Sequence, residues 1–169
     1  MGYTTDFIGE FKLNKPLTVA HKNYLDAFND TRRMQRNAEI TEKHPDPIRK
    51  AVGLPVGREG EYFVGGEGFR GQKHDMNDII DHNRPPADQP GLWCQWVPNA
   101  NGDAIEWDGV EKFYDYVEWL EYIIGHFLAP WGYKLNGEVE WEGEESGDVG
   151  KIVVIDNDVS TMRGRVVYD

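Results

Sequence analysis

Residues 138 to 142 read Glu-Val-Glu-Trp-Glu, an alternation of charged and apolar side chains that suits a strand and not a helix. Successive side chains of a strand point to opposite faces, so Val139 and Trp141 share a buried face while Glu138, Glu140 and Glu142 share a wet, acidic one. Lys151 to Ile155 and Arg163 to Tyr168 repeat the pattern in weaker form. Turn sequences at 143–150 and 156–158 separate the three segments. The last third is therefore expected to be an antiparallel meander with one solvated side. The acidic run is first of all a wet strand that discourages edge pairing, and its charge density also fits mimicry of a DNA backbone.

The other elements follow from the same kind of pattern. Tyr3 to Leu13 alternates through Phe7, Gly9, Phe11 and Leu13, with Ile8 out of phase, and reads as a first strand. Thr18 is placed to cap a helix carrying Ala20, Tyr24, Leu25, Phe28 and Met34 and running to about Asn37. Pro45-Asp46-Pro47 starts a short helix to about Val52, and Glu61 to Val64 reads as a short strand. Leu92 to Val97 and Ala104 to Trp107 form a hairpin closed by Pro98 to Asp103. Asp108 and Glu111 have capping-box spacing before the apolar repeat Val110, Phe113, Val117, Leu120, Ile124 and Phe127, which Pro130 ends. This order predicts an α+β fold, an antiparallel or mixed sheet packed against one long and one or two shorter helices. The chain is expected to be a single domain, 1–169, with a long ordered loop at about 65–91.

Composition narrows the partners. The formal net charge is −12; Lys and Arg balance Asp and Glu in residues 1–75, so the excess lies in the second half. That charge repels nucleic acid and anionic membrane over most of the surface. The apolar fraction is only 39%, so the Trp, Tyr and Phe residues must supply much of the core. Cys94 is the one cysteine, which excludes an intrachain disulfide and a multi-cysteine metal site. No apolar run is long enough to span a bilayer, so no membrane is expected and the location is read as cytoplasmic.

Chemistry concentrates in the 65–91 loop and its flanks. Gly65 to Gly71, with Arg70 and Lys73, could offer backbone N–H groups to an anion, but it lacks the Lys-Ser/Thr of a P-loop. His74, Asp75, Asp78, Asp81 and His82 invite a metal reading, and a helical 75–82 would put Asp75, Asp78 and His82 on one face. No zinc signature appears, and no metal or cofactor is expected. His82-Asn83-Arg84-Pro85-Pro86 is more specific, because two prolines fix the backbone behind three polar side chains. Arg84 could pair with a carboxylate or hold a ligand anion. Arg32, Arg33 and Arg36 read either as cations at a helix end or as further ligand charge. A strand at 92–97 puts Trp93 and Gln95 on one face, an arrangement suited to stacking on a planar base and reading its edge.

The segments Phe63–Gly66, His82–Pro86, Gln89–Trp96, Ile105–Gly109, Glu111–Leu120 and Ala129–Glu144 together resemble a family of small uncharacterised proteins of phages and bacteria. The resemblance implies a compact α+β fold with a shared site in the motif-rich loop, and brings no catalytic residues with it. If the chain is phage-encoded, it would act in the host cytoplasm, and the setting suggests an anti-defence role. The leading expectation is a non-enzymatic sponge for a nucleotide-like anionic small molecule. Its ligand residues would be Arg70, His82, Asn83, Arg84, Trp93 and Gln95, with Arg32, Arg33 and Arg36 completing the charge. The alternatives are an acidic inhibitor of a host protein, working as a DNA mimic, and a small nucleotide hydrolase. A homodimer is compatible with the aromatic strands.

Overall fold

The structure, a computed structural model, describes residues 2–65 and 77–169. The chain forms two compact units, Met1–Pro16 with Gln95–Asp169, and Leu17–Cys94. The fold is α+β, and the described residues form a six-stranded antiparallel sheet, a two-stranded ribbon and four helices.

The first unit holds the sheet. Its strands are β1 (Thr5–Leu13), β4 (Trp96–Pro98), β5 (Ala104–Trp107), β6 (Leu135–Gly143), β7 (Val149–Ile155) and β8 (Asp158–Arg163), in the order β4-β5-β1-β6-β7-β8. The meander expected for the last third is present as β6-β7-β8, although its final strand ends at Arg163 rather than running to Tyr168. The hairpin is also present, but its first strand begins at Trp96; Leu92 to Gln95 are not strand. β1 pairs with β6 along its whole length, Thr5 opposite Gly143 and Leu13 opposite Leu135. Gly9 and Gly137 permit this close approach, since a side chain on Gly9 would sit 2.8 Å from the Glu138 carbonyl and both residues have positive φ.

The inner face of the sheet is aromatic. Phe7 meets Trp96, Trp107, Phe113 and Tyr116 at ring separations of 5.0 to 5.8 Å, mostly edge to face. Trp96 donates its indole N–H to the Tyr116 carbonyl at 2.7 Å, tying the hairpin to helix α4 (Tyr116–Ile123). Trp119, Leu120 and Ile123 are buried, and the helix continues as a wider π-helical turn over Ile124–Leu128 before Pro130. The helix starts later than the capping-box spacing predicts. The Asp108 carboxylate bonds the Val110 N–H two residues on, and Gly109, Lys112 and Asp115 all have positive φ, so the chain cannot become helical before Tyr116.

In the second unit, helix α1 (Val19–Asp30) is capped by Thr18, whose hydroxyl accepts from His21 N–H at 3.1 Å. It stops seven residues short of Asn37. Thr31 turns back, its hydroxyl bonding the Ala27 carbonyl at 2.7 Å, and the chain then runs extended through β2 (Gln35–Arg36). β2 pairs antiparallel with β3 (Ile79–Asp81), so this part of the expected 75–82 helix is strand. Helices α2 (Ala38–Thr41) and α3 (Pro47–Ala51) are short and capped by Asn37 and Asp46. Glu61 to Val64, expected as a strand, is turn and irregular backbone following the 3₁₀ turn Arg58–Gly60. Its carbonyls go to side chains instead, as described below.

One polar clasp secures the sheet unit. Asp148 accepts from the Tyr3 hydroxyl at 2.6 Å and from the Trp141 indole at 3.1 Å. The Tyr3 hydrogen bond, then that of Trp141, holds its carboxyl below the ordinary carboxylate range. A depressed folded-state value means that the clasp stabilises above the unfolded carboxyl value of about 3.9 and loses this contribution as pH falls through the folded value. Asp148→Asn should therefore lower stability at neutral pH, with the gap to the native chain closing in acid. Urea denaturation across pH, followed by tryptophan fluorescence, measures both.

Candidate functional site

The sequence nominates two regions, and the structure treats them differently. The arginines after α1 are not surface cations at a helix end. Arg33 is buried, with its guanidinium donating to the carbonyls of Phe63 at 2.8 Å and Glu61 at 2.7 Å and to the side chain of Gln89 at 3.2 Å. Arg36 is also buried and donates to Asp78 Oδ2 at 2.8 Å. Asp78 is 0% exposed and accepts a second hydrogen bond from Thr41 at 2.8 Å. Burial alone would raise the Asp78 carboxyl, but the Thr41 hydrogen bond and the charge and hydrogen bond of Arg36 outweigh it and hold it low. A second buried pair joins Arg49 Nε to Asp46 Oδ2 at 2.9 Å. Arg33, Arg36 and Asp78 thus hold the 17–94 unit together.

The His82–Pro86 segment is a pinned turn. Asp81 accepts from the Asn83 N–H at 2.9 Å, and Gln35 N–H donates to the Arg84 carbonyl at 2.7 Å. Arg32 reaches the same turn, donating to the His82 carbonyl at 3.0 Å and to Asn83 Oδ1 at 3.2 Å. His82, Asn83 and Arg84 are exposed, and Pro86 is buried beneath them. The structure therefore brings Arg32, His82, Asn83 and Arg84 together. Trp93 is half-buried in this unit, and Gln95 belongs to the sheet unit. Gln95 is buried there, accepting from the Trp107 indole at 3.3 Å and donating to the carbonyls of Glu111 and Lys112. Arg70, Lys73, His74 and Asp75, with most of the glycine cluster, lie outside the described residues. Among the described residues no three His, Cys, Asp or Glu side chains converge as metal ligands would, and no helix is long and apolar enough to cross a membrane.

The second region is the outer face of the sheet. Strand pairing puts Asp6, Ile8, Glu10 and Lys12 of β1 on the side away from Phe7 and Phe11, opposite Glu142, Glu140, Glu138 and Asn136 of β6 in that order. Val149 and Lys151 of β7 and Met162 of β8 continue the same face. Two cross-strand pairs are therefore like-charged, Asp6 with Glu142 and Glu10 with Glu138. Such pairs are destabilising. Among the described residues lysines relieve only one of them, Lys12 reaching Glu10 at 3.4 Å and Lys151 reaching Glu138 at 3.3 Å. A groove of ≈ 560 Å³ crosses this face, lined by Asp6, Ile8, Glu140, Glu142, Val149, Lys151, Met162 and Gly164 among others. Ile8 and Met162 stand at its sides, 72% and 56% exposed. Sequence reasoning found Glu138, Glu140 and Glu142 as a wet strand but missed Asp6, Lys151 and Met162. The phase break at Ile8 was the available signal, because an apolar residue on the wet side of a strand has no core to explain it.

No protein-family model, curated protein or solved structure matches the chain. The candidate sites accordingly rest on geometry.

The two kinds of arginine separate experimentally. Arg36→Met takes the guanidinium away from the buried Asp78 charge and should cost about 3–5 kcal/mol, whereas Arg84→Ala, on the exposed turn, should stay within about 0.5 kcal/mol of the native chain. Equilibrium denaturation in guanidinium chloride, read by far-UV circular dichroism, measures both changes.

Proposed function

We propose that this chain is a non-enzymatic binding protein whose working surface is the outer sheet face, and that it engages a cationic surface of a partner protein. The observation that carries this reading is the groove that combines an unneutralised like-charge pair, Asp6 opposite Glu142, with the exposed apolar side chains of Ile8 and Met162. Carboxylates set against one another on a regular sheet cost stability, and a cation bound between them relieves the repulsion. Apolar neighbours favour a lysine or arginine stem over a free metal ion, since those side chains carry aliphatic length behind the charge. If the chain is phage-encoded, a face of this kind would cover the basic nucleic-acid-binding surface of a host defence protein in the host cytoplasm. An acidic surface also accelerates association with a basic partner through long-range steering.

A second reading, uptake of a nucleotide-like anion at the 82–84 turn, is supported by the exposed Arg84 guanidinium on a turn that Arg32 pins. The two readings predict opposite mutational patterns. For the acidic face, a fluorescein-labelled oligoarginine binds with an affinity that falls as salt rises. Replacing Glu138, Glu140 and Glu142 together by Gln weakens that binding by about tenfold or more, and Arg84→Ala leaves it unchanged. Fluorescence anisotropy reads the first pattern. A thermal-shift panel of mono- and dinucleotides reads the second, in which Arg84→Ala abolishes the shift and the Gln variants keep it.

A further inference from the structure

β8 ends the six-stranded sheet, and among the described residues no strand pairs with its outer edge. Proteins commonly protect such edges with short strands, prolines, bulges or charges. The opposite edge, β4, is protected in this way, being three residues long and ending in Pro98. β8 is six residues long, pairs with β7 without a register shift, and contains no proline. Its residues are exposed or half-buried. The hydrogen bond from Gly164 N–H to the Val149 carbonyl, at 2.9 Å, fixes the phase of the ladder. Residues 158, 160, 162 and 164 bond to β7, and Val159, Thr161 and Arg163 therefore aim their N–H and C=O groups at the open side.

A lane on the outer face leads inward from this edge. Gly164 lies beside Val149, Val149 is opposite Glu142, and Glu142 is opposite Asp6, so the four positions cross the sheet in one row. All four line the groove. Because Gly164 has no side chain, the row is open at its outer end. A side chain at 164 would close it, its Cβ lying 3.0 Å from Val149 Cγ2.

We infer that the partner adds an extended segment to the β8 edge and lays an arginine or lysine along this lane, its stem over Gly164 and Val149 and its cation directed at Glu142. This rests on the acidic-face reading above and supplies its binding mode. A second copy of this chain is disfavoured as the occupant. Pairing β8 with β8 about a two-fold axis normal to the sheet puts both acidic faces on the same side. Strand addition gives main-chain affinity, and alternate side chains give specificity, so the fitting partner has cations at every second position.

The test uses two labelled peptides of identical composition, one alternating arginine and threonine, the other with its arginines in a single block. The alternating peptide should bind the native chain about tenfold more tightly than the block peptide. Thr161→Pro, which removes an outward N–H without touching the β7 ladder, and Gly164→Val, which fills the lane, should each abolish that preference. On the native chain, the alternating peptide should also slow amide hydrogen exchange at Val159, Thr161 and Arg163. This readout needs no variant to fold. Equal binding of both peptides, lost only when Glu138, Glu140 and Glu142 become Gln, overturns strand addition and leaves the acidic-face reading standing. Absence of binding by either peptide overturns both, and unchanged exchange along β8 overturns the inference on its own.

Discussion

Everything on the sheet follows from the register of β1 against β6. With Phe7 opposite Trp141 and Ile8 opposite Glu140, the aromatic side chains of both strands meet helix α4 and the carboxylates of both meet water. A slip of one residue would exchange the two faces, placing Glu138, Glu140 and Glu142 against the core. No reading of β6 alone excludes that slip. It is the second strand, with Phe7 and Phe11 in the same phase and glycines where the two backbones come closest, that removes the alternative. The same register makes Asp6 face Glu142, so the feature that fixes the fold also builds the repulsion that the outer face carries.

What could be read from the sequence was local, and what could not was held by partners far along the chain. The alternation in β1 and β6, the Thr18 cap and the Pro47 helix start all act within a few residues, and all appear as expected. The end of α1 does not. Residues 31–37 carry no helix breaker, yet Arg33 is drawn out by the carbonyls of Glu61 and Phe63, and Arg36 by Asp78. The capping-box spacing at Asp108 fails for a related reason: the same side chain can close a turn two residues ahead, and the positive φ at Gly109 and Lys112 selects that outcome. At the candidate sites, the rigidity of the His82–Pro86 turn was legible from its prolines. The row from Gly164 to Asp6 was not, because its four members come from four stretches of chain.

The 17–94 unit rests on charge where the sheet unit rests on rings. Among its described residues the buried cations are arginines, and the chemistry requires that. A planar guanidinium can donate to several carbonyls at once, as Arg33 does, while also stacking its face on Phe28 at 4.2 Å. Arg36 does the same over Phe63 at 4.5 Å while pairing with Asp78. Lysine, with a single tetrahedral charge and a larger desolvation cost, would leave most of these acceptors unmet. Irregular backbone at Glu61 to Phe63 is tolerable inside the unit because Arg33 satisfies its carbonyls in place of a neighbouring strand.

Magnitudes decide how an open edge and an acidic face can work together. Each backbone hydrogen bond to an added strand contributes a net of about 0.5–1.5 kcal/mol, and three outward-facing residues offer only a few such bonds. Association costs roughly 4–15 kcal/mol in lost freedom, so strand pairing at β8 is insufficient by itself. For a second copy the balance worsens, since each pair of like charges about 10 Å apart adds roughly 0.4 kcal/mol of repulsion in water. For a cationic strand it improves, because a counter-charge at the Glu142 carboxylate relieves its repulsion with Asp6. An exposed ion pair of this kind contributes about 0.2–1 kcal/mol, comparable to one main-chain bond, so several cations at alternate positions are needed. The acidic face thus decides which chain the exposed edge can hold, and the edge decides where along that chain the cation must stand.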